Sequence, residues 1–530
     1  MNVISIADVS CQAFVQAPEN LDPSVLHRFV VGEDRGPTPV GPAGLAELGD
    51  PFATLLLQKG VFPPNADQLL AAIDAATPEN DPLRTEMTFL LGEGSQLPGT
   101  GDEGPNRRLR FIVSRGRAPE GIDLLLSAAD PANGLVELMA WDPTAGGFNY
   151  YRTVGRGPAW ALAGNSRHAL TEPTRGKGPF ESHPSGSLIM KELKFPWLHW
   201  NSFKAQIPAN AFPGGDPRVE HRWFKNLQGA DVMEESVAKP SIMRWTEARF
   251  AQLATGDGGF ADPRRVLEQI VTSPTANLVT SSSESAAVKA DDRLVLPSTF
   301  FVDLDALSGK LGLAAPPDFS VSGADYLASL DDFGFALTDG DFRHPADEAR
   351  FADTHFACAV PERAFEDQAT LQAALDAGLV SPRLAASLLM VDFPNPVFSQ
   401  RRAALRAPHA PESAPSAAAY SQEMADRILA AADAAGEGSP EREFADRWGV
   451  GEDFADPFDA LLTAYYQAVL DRLATREGFF DYVRLAESRR DRVRALPIGR
   501  EFELLFARPR PDTDAGLLRM TEAGTVEEDN

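Results

Sequence analysis

The sequence predicts an α+β fold, an antiparallel β-meander packed on short helices with a C-terminal helical region. Three observations carry that expectation. Between residues 107 and 154 four strand-like runs are separated by Gly, Asp-Pro and Gly-Gly turns. Six of the seven tryptophans (Trp141, Trp160, Trp197, Trp200, Trp223, Trp245) fall beside or just after those runs, as one aromatic core requires. From 421 to 496 nearly every stretch has helical character, and Leu461, Leu462, Tyr465, Val469 and Leu473 recur at the spacing of a buried helix face.

Taken in order, residues 1–100 read as an N-terminal arm rich in Pro, Gly and Asp, with short helices at 52–57 and 66–76 divided by Pro63-Pro64. Residues 101–271 read as the meander and its aromatic helical core. The runs are Arg108-Leu-Arg-Phe-Ile-Val-Ser-Arg, Ile122-Asp-Leu-Leu-Leu-Ser-Ala, Leu135-Val-Glu-Leu-Met-Ala-Trp and Phe148-Asn-Tyr-Tyr-Arg-Thr-Val, with Trp160-Ala-Leu-Ala as a fifth. A short helix is expected over 184–195, with His183 at its N-cap, Pro184 at the first helical position and Pro196 as its stop. A longer helix is expected over 234–252. The Ser-, Thr- and Ala-rich stretch 272–292 reads as a variable connection.

A mixed α/β extension is expected over 293–407, with a strand near 294–302, a helix over 303–311, and a helix pair at 366–377 and 382–390. Two prolines in Val391-Asp-Phe-Pro-Asn-Pro-Val-Phe-Ser impose a rigid turn. The Pro-, Ala- and Ser-rich segment 408–419 reads as a linker to the helical region at 420–507. The tail from 508 to 530 is expected to lack fixed structure.

Composition narrows the function. A net charge of −27 opposes nucleic acid and anionic membrane as main partners. Two distant cysteines, Cys11 and Cys358, make neither a disulfide framework nor a cysteine-based zinc site. With no basic, apolar leader and no run of about 18 apolar residues, the sequence points to a cytoplasmic protein acting on a small-molecule substrate or a redox partner. There is no Gly-x-Ser-x-Gly elbow, no His-Glu-x-x-His pair and no phosphate-binding glycine loop.

The segment 179–203 gathers two histidines, a methionine and two tryptophans. His183, His199 and His221 are candidate metal ligands, and Met190 is a candidate partner to His183, because imidazole and thioether are the usual axial groups of haem iron. The plainer alternative makes His183 a helix cap and Met190 core filler.

His183-Pro-Ser-Gly-Ser-Leu-Ile-Met-Lys-Glu-Leu-Lys-Phe-Pro-Trp-Leu-His-Trp resembles the segment that follows the haem-attachment site in a group of bacterial cytochrome-c-like proteins, Cys-x-x-Cys-His, then a Gly, then Leu-x-Met-Lys-Glu-Leu-x-x-Pro-Trp-x-x-Trp. The later Val391-Asp-Phe-Pro-Asn-Pro-Val-Phe-Ser-Gln-Arg-Arg resembles a second block of that group, so the likeness spans about 100–407 in outline. Pro179 and Ser182 stand where the family has its cysteines, which excludes thioether-linked haem. The resemblance implies that His183 holds the proximal position of a non-covalent haem in a cytoplasmic oxidoreductase. Tyr150, Tyr151, Trp160, Trp197 and Trp200 would line the pocket. Arg108 and Arg110, on one sheet face by alternation, could meet a carboxylate or a haem propionate, the plainer alternative being a solvated face or ion pairs with the chain's many acids. The alternative is a cofactor-free protein that binds a small molecule or another protein, in which the ligand position is vestigial.

Overall fold

The computed structural model describes residues 21–92, 109–117, 120–154, 158–188, 212, 214–273, 276–279, 289–333, 343–344, 347–351, 360–495 and 516–529. Its organising element is an eight-stranded sheet in the order β2-β1-β8-β7-β6-β5-β4-β3. β1 (His27–Arg28) and β2 (Thr38–Pro39) come from the N-terminal arm. β3 (Glu86–Gly92), β4 (Leu109–Arg117), β5 (Gly121–Ala128), β6 (Val136–Asp142), β7 (Gly147–Val154) and β8 (Ala159–Asn165) follow one another as an antiparallel meander. β1 joins the far edge in parallel with β8.

The strands are buried on both faces, and the period of two sorts their side chains. Phe111, Val113, Leu124, Leu126, Leu138, Tyr151 and Trp160 face α1 (Pro51–Leu55) and α2 (Ala66–Ala76), where Phe52, Leu69, Leu70 and Ile73 complete the layer. Both helices start on side-chain caps. Asp50 accepts from the Ala53 amide at 3.0 Å and Asn65 from Gln68 at 2.9 Å. The opposite face carries Ile112, Met139, Trp141, Phe148, Tyr150 and Ala163. It packs on Phe180, Met233, Val237 and Trp245, the last on α3 (Lys239–Leu253). Arg115 is buried in β4 and neutralised by Asp74 at 2.7 Å and Glu86 at 2.6 Å.

The remaining core is helical. It joins Phe250 and α4 (Arg264–Thr272) to α5 (Phe365–Asp376), α6 (Pro382–Leu389), α7 (Ala417–Ala432), α8 (Pro440–Trp448), α9 (Ala455–Leu473) and α10 (Arg476–Ala495). Segment 408–419, expected as a linker, is partly built into this core: His409, Ala410 and Ala414 are buried. The tail also departs from expectation. Leu518–Met520 and Val526–Glu528 pair as a hairpin, and Met520 is wholly buried. Among the described residues no helix is long and apolar enough to cross a membrane.

The helix expected from 184 does not form over its described part, since 184–187 are turn and bend and Leu188 is irregular. Gly186 gives the reason. Its φ of +76° is left-handed, and a Cβ there would lie 2.2 Å from the Ser166 carbonyl oxygen, so the chain folds tightly against the strand end instead of winding onward.

Candidate functional site

A cavity of about 160 Å³ lies on the sheet face opposite α1 and α2, between β4–β7 and the turn at 179–183. Register builds its floor. Ser127, Glu137 and Arg152 sit side by side on β5, β6 and β7, and Leu125, Met139 and Tyr150 form the next row. Two residues along a strand separate the rows by roughly 7 Å. Leu91, Ile112, Ala163 and Met233 supply apolar wall, and Pro179, Ser182 and His183 close over it.

His183 is the side chain with chemistry to offer. Its Nδ1 lies 2.9 Å from the Ser187 carbonyl oxygen, a contact that requires Nδ1 to carry the proton and leaves Nε2 as a lone pair. No described residue takes Nε2 as a hydrogen-bond partner. Burial, the largest effect, holds the imidazole below its usual value, and Arg110 acts in the same direction. The Ser187 carbonyl and Glu137 pull the other way. The ring is therefore neutral at pH 7.

The supports of that ring run back into the sheet. Tyr150 stands against it with ring centroids 5.4 Å apart, and Phe180 meets Tyr150 edge-on at 5.2 Å. Trp245 Nε1 donates to the Ser185 carbonyl at 2.9 Å, pinning the turn to α3. At the other end Glu137, with 49% of its side chain exposed, lies 3.8 Å from Arg110 and 3.9 Å from Arg152. These ion pairs are too long to be hydrogen bonds.

Of the residues expected at a site, His183, Tyr150 and Arg110 meet in this cavity. Tyr151 borders it, but its phenol lies on the opposite face and donates to Asp50 at 2.5 Å. Trp160 is on that opposite face too, with Nε1 donating to the Pro63 carbonyl at 2.8 Å. His221 caps the short helix Arg222–Lys225, where Nδ1 accepts from the Trp223 amide at 3.2 Å, and its Nε2 is 3.1 Å from Asp67. His221 therefore plays the capping part first weighed for His183. Arg108, Met190, Trp197, His199 and Trp200 lie outside the described residues. Pro179 and Ser182, the residues set against cysteines in the resemblance, both line the cavity. Glu137, Arg152 and Met233 line the cavity without being among the expected site residues, although alternation along β6 and β7 puts Glu137 on the face of Met139 and Arg152 on that of Tyr150.

The tethered histidine is the arrangement that orients an imidazole toward a metal, but the space that the described residues leave in front of it does not fit haem. A porphyrin is larger than the 160 Å³ enclosed by the described residues. Among the described residues no three of His, Cys, Asp and Glu converge as a metal-binding set. A wider groove of about 890 Å³ lies near α4 and 406–415, lined by Arg264, Arg265, Arg406 and Arg427. Each of these already has a carboxylate partner, at 2.8, 2.8, 2.9 and 2.6 Å, in Asp262, Glu268, Glu268 and Glu423 respectively. No family model, curated protein or solved structure matches this chain.

Proposed function

We propose that this is a cofactor-free small-molecule-binding protein, with its ligand held between the meander and His183. The observation that carries the reading is the fixed tautomer of His183 at a cavity. The Nδ1–H to Ser187 contact at 2.9 Å spends one nitrogen on the fold and leaves the other for a ligand. Groups held this way by backbone contacts are already oriented before binding, which lowers the entropic cost of recognition. Apolar walls and a few convergent polar groups are the usual make-up of a ligand site. In this reading the likeness to cytochrome-c-like proteins reflects a retained histidine position, not a retained haem.

A thermal-shift screen of ring-sized fragments, run with an absorption spectrum of protein purified from haem-replete cells, tests the proposal. The expected result is colourless protein whose melting temperature rises with bound fragment, and loses that response in Met233→Trp, which fills the cavity. Protein showing a Soret band that His183→Ala removes would instead support the haem-dependent oxidoreductase.

A further inference from the structure

Resting on the binding reading above, we propose that the cavity takes a phenol-like ligand, a single ring bearing a hydroxyl that donates its hydrogen bond to Nε2 of His183. Size comes first. The space of about 160 Å³ is close to that of an apolar cavity of about 150 Å³ known to accept benzene. It suits one six-membered ring and little more.

The walls agree with an aromatic body. Met139 and Met233 line the cavity together with Leu91, Ile112 and Leu125. Thioethers pack well at aromatic edges and adapt to them. Tyr150 adds a ring beside His183.

The donor requirement follows from the tautomer. With Nδ1–H committed to Ser187, Nε2 can only accept. A carboxylate or a carbonyl placed there would set lone pair against lone pair, whereas a hydroxyl presents its hydrogen. Glu137 and Arg152 lie two residues along their strands from Met139 and Tyr150, roughly 7 Å, and Arg110 is 3.8 Å from Glu137.

Calorimetric titration of the full chain with phenol, anisole and toluene tests this assignment. Phenol should bind about tenfold more tightly than either, the worth of one neutral hydrogen bond, because anisole keeps the oxygen but has no hydrogen to give. In His183→Phe, which fills the ring position without a nitrogen, the three should bind alike. Equal affinities for all three in the wild-type protein would overturn the hydroxyl assignment and leave the cavity reading standing. Failure of all three to bind would overturn both. Should the variant not fold, the wild-type comparison decides alone.

Discussion

Asp50 sets burial against hydrogen bonding within one residue. Its carboxylate is fully buried and accepts from Tyr151 at 2.5 Å, Asn149 at 2.8 Å and the Ala53 amide at 3.0 Å. Burial outweighs these donors, with a smaller push from Asp142, and raises the carboxyl from 3.8 to about 6. A carboxyl that holds its proton more tightly in the folded chain adds stability that is full below pH 3.8 and lost as pH rises through about 6. The loss is on the order of 3 kcal/mol. Denaturant titrations at pH 4 and pH 7 should show this fall in the wild-type protein and a smaller one in Asp50→Asn. An unchanged or larger fall in the variant would place the effect elsewhere. His183 differs in kind, because its one committed nitrogen leaves the other without a hydrogen-bond partner among the described residues.

At the scale of elements, the turn at 183–188 and the β7–β8 pairing make the site. A bulge between Tyr150 and Tyr151 sets Tyr150 opposite Gly164, and Tyr151 opposite Leu162. Gly164 has φ +126°, and a Cβ there would touch Phe180 at 2.8 Å, so the ring that supports Tyr150 needs this glycine. Gly186→Ala should cost at least about 2 kcal/mol, from left-handed strain and the close Ser166 carbonyl. It should also shift the His183 ring signals in an NMR spectrum. A variant as stable as wild type with unmoved His183 signals would contradict the account of the turn.

The sequence is legible where one signal is unopposed. The runs of β4–β8 and the long helices α7–α10 carry period two or 3.6 with clear turns between them. At 184–188, by contrast, Pro184 and the residues around it give a good helix start that the fold does not follow. The close approach of Gly186 to Ser166, a contact across 20 residues, overrides that start. Glu86–Gly92 is not legible as a strand because it lies in a stretch whose composition reads as arm and short helices. Its partner β4 is what makes it a strand.

At the scale of the molecule, the helical core does not stop at 408–419. Tyr420 and the tail residue Met520 belong to one cluster with Leu384 and Phe300. Asn395, in the rigid turn anticipated from its prolines, donates to the Met520 carbonyl at 2.8 Å and accepts from its amide at 2.9 Å. Tyr465 donates to the Met520 sulfur at 2.9 Å. Composition could not reveal this, since a polar, acidic tail docks through one apolar side chain and backbone contacts. Met520→Ala should destabilise the helical core by about 2–5 kcal/mol. Residues 360–495 should still unfold in one transition, read by calorimetry. Two separate transitions divided near 408–419 would show that the linker reading was right after all.

The central claim is that a ligand sits against His183 on the meander. Methyl NMR of the nine methionines, recorded while phenol is added, tests it most directly. Met139 and Met233 line the cavity, whereas Met424 and Met520 lie in the helical core. Saturable shifts at Met139 and Met233, with Met424 and Met520 unmoved, are the predicted result. Shifts confined to the helical core, or none at any methionine, would contradict it.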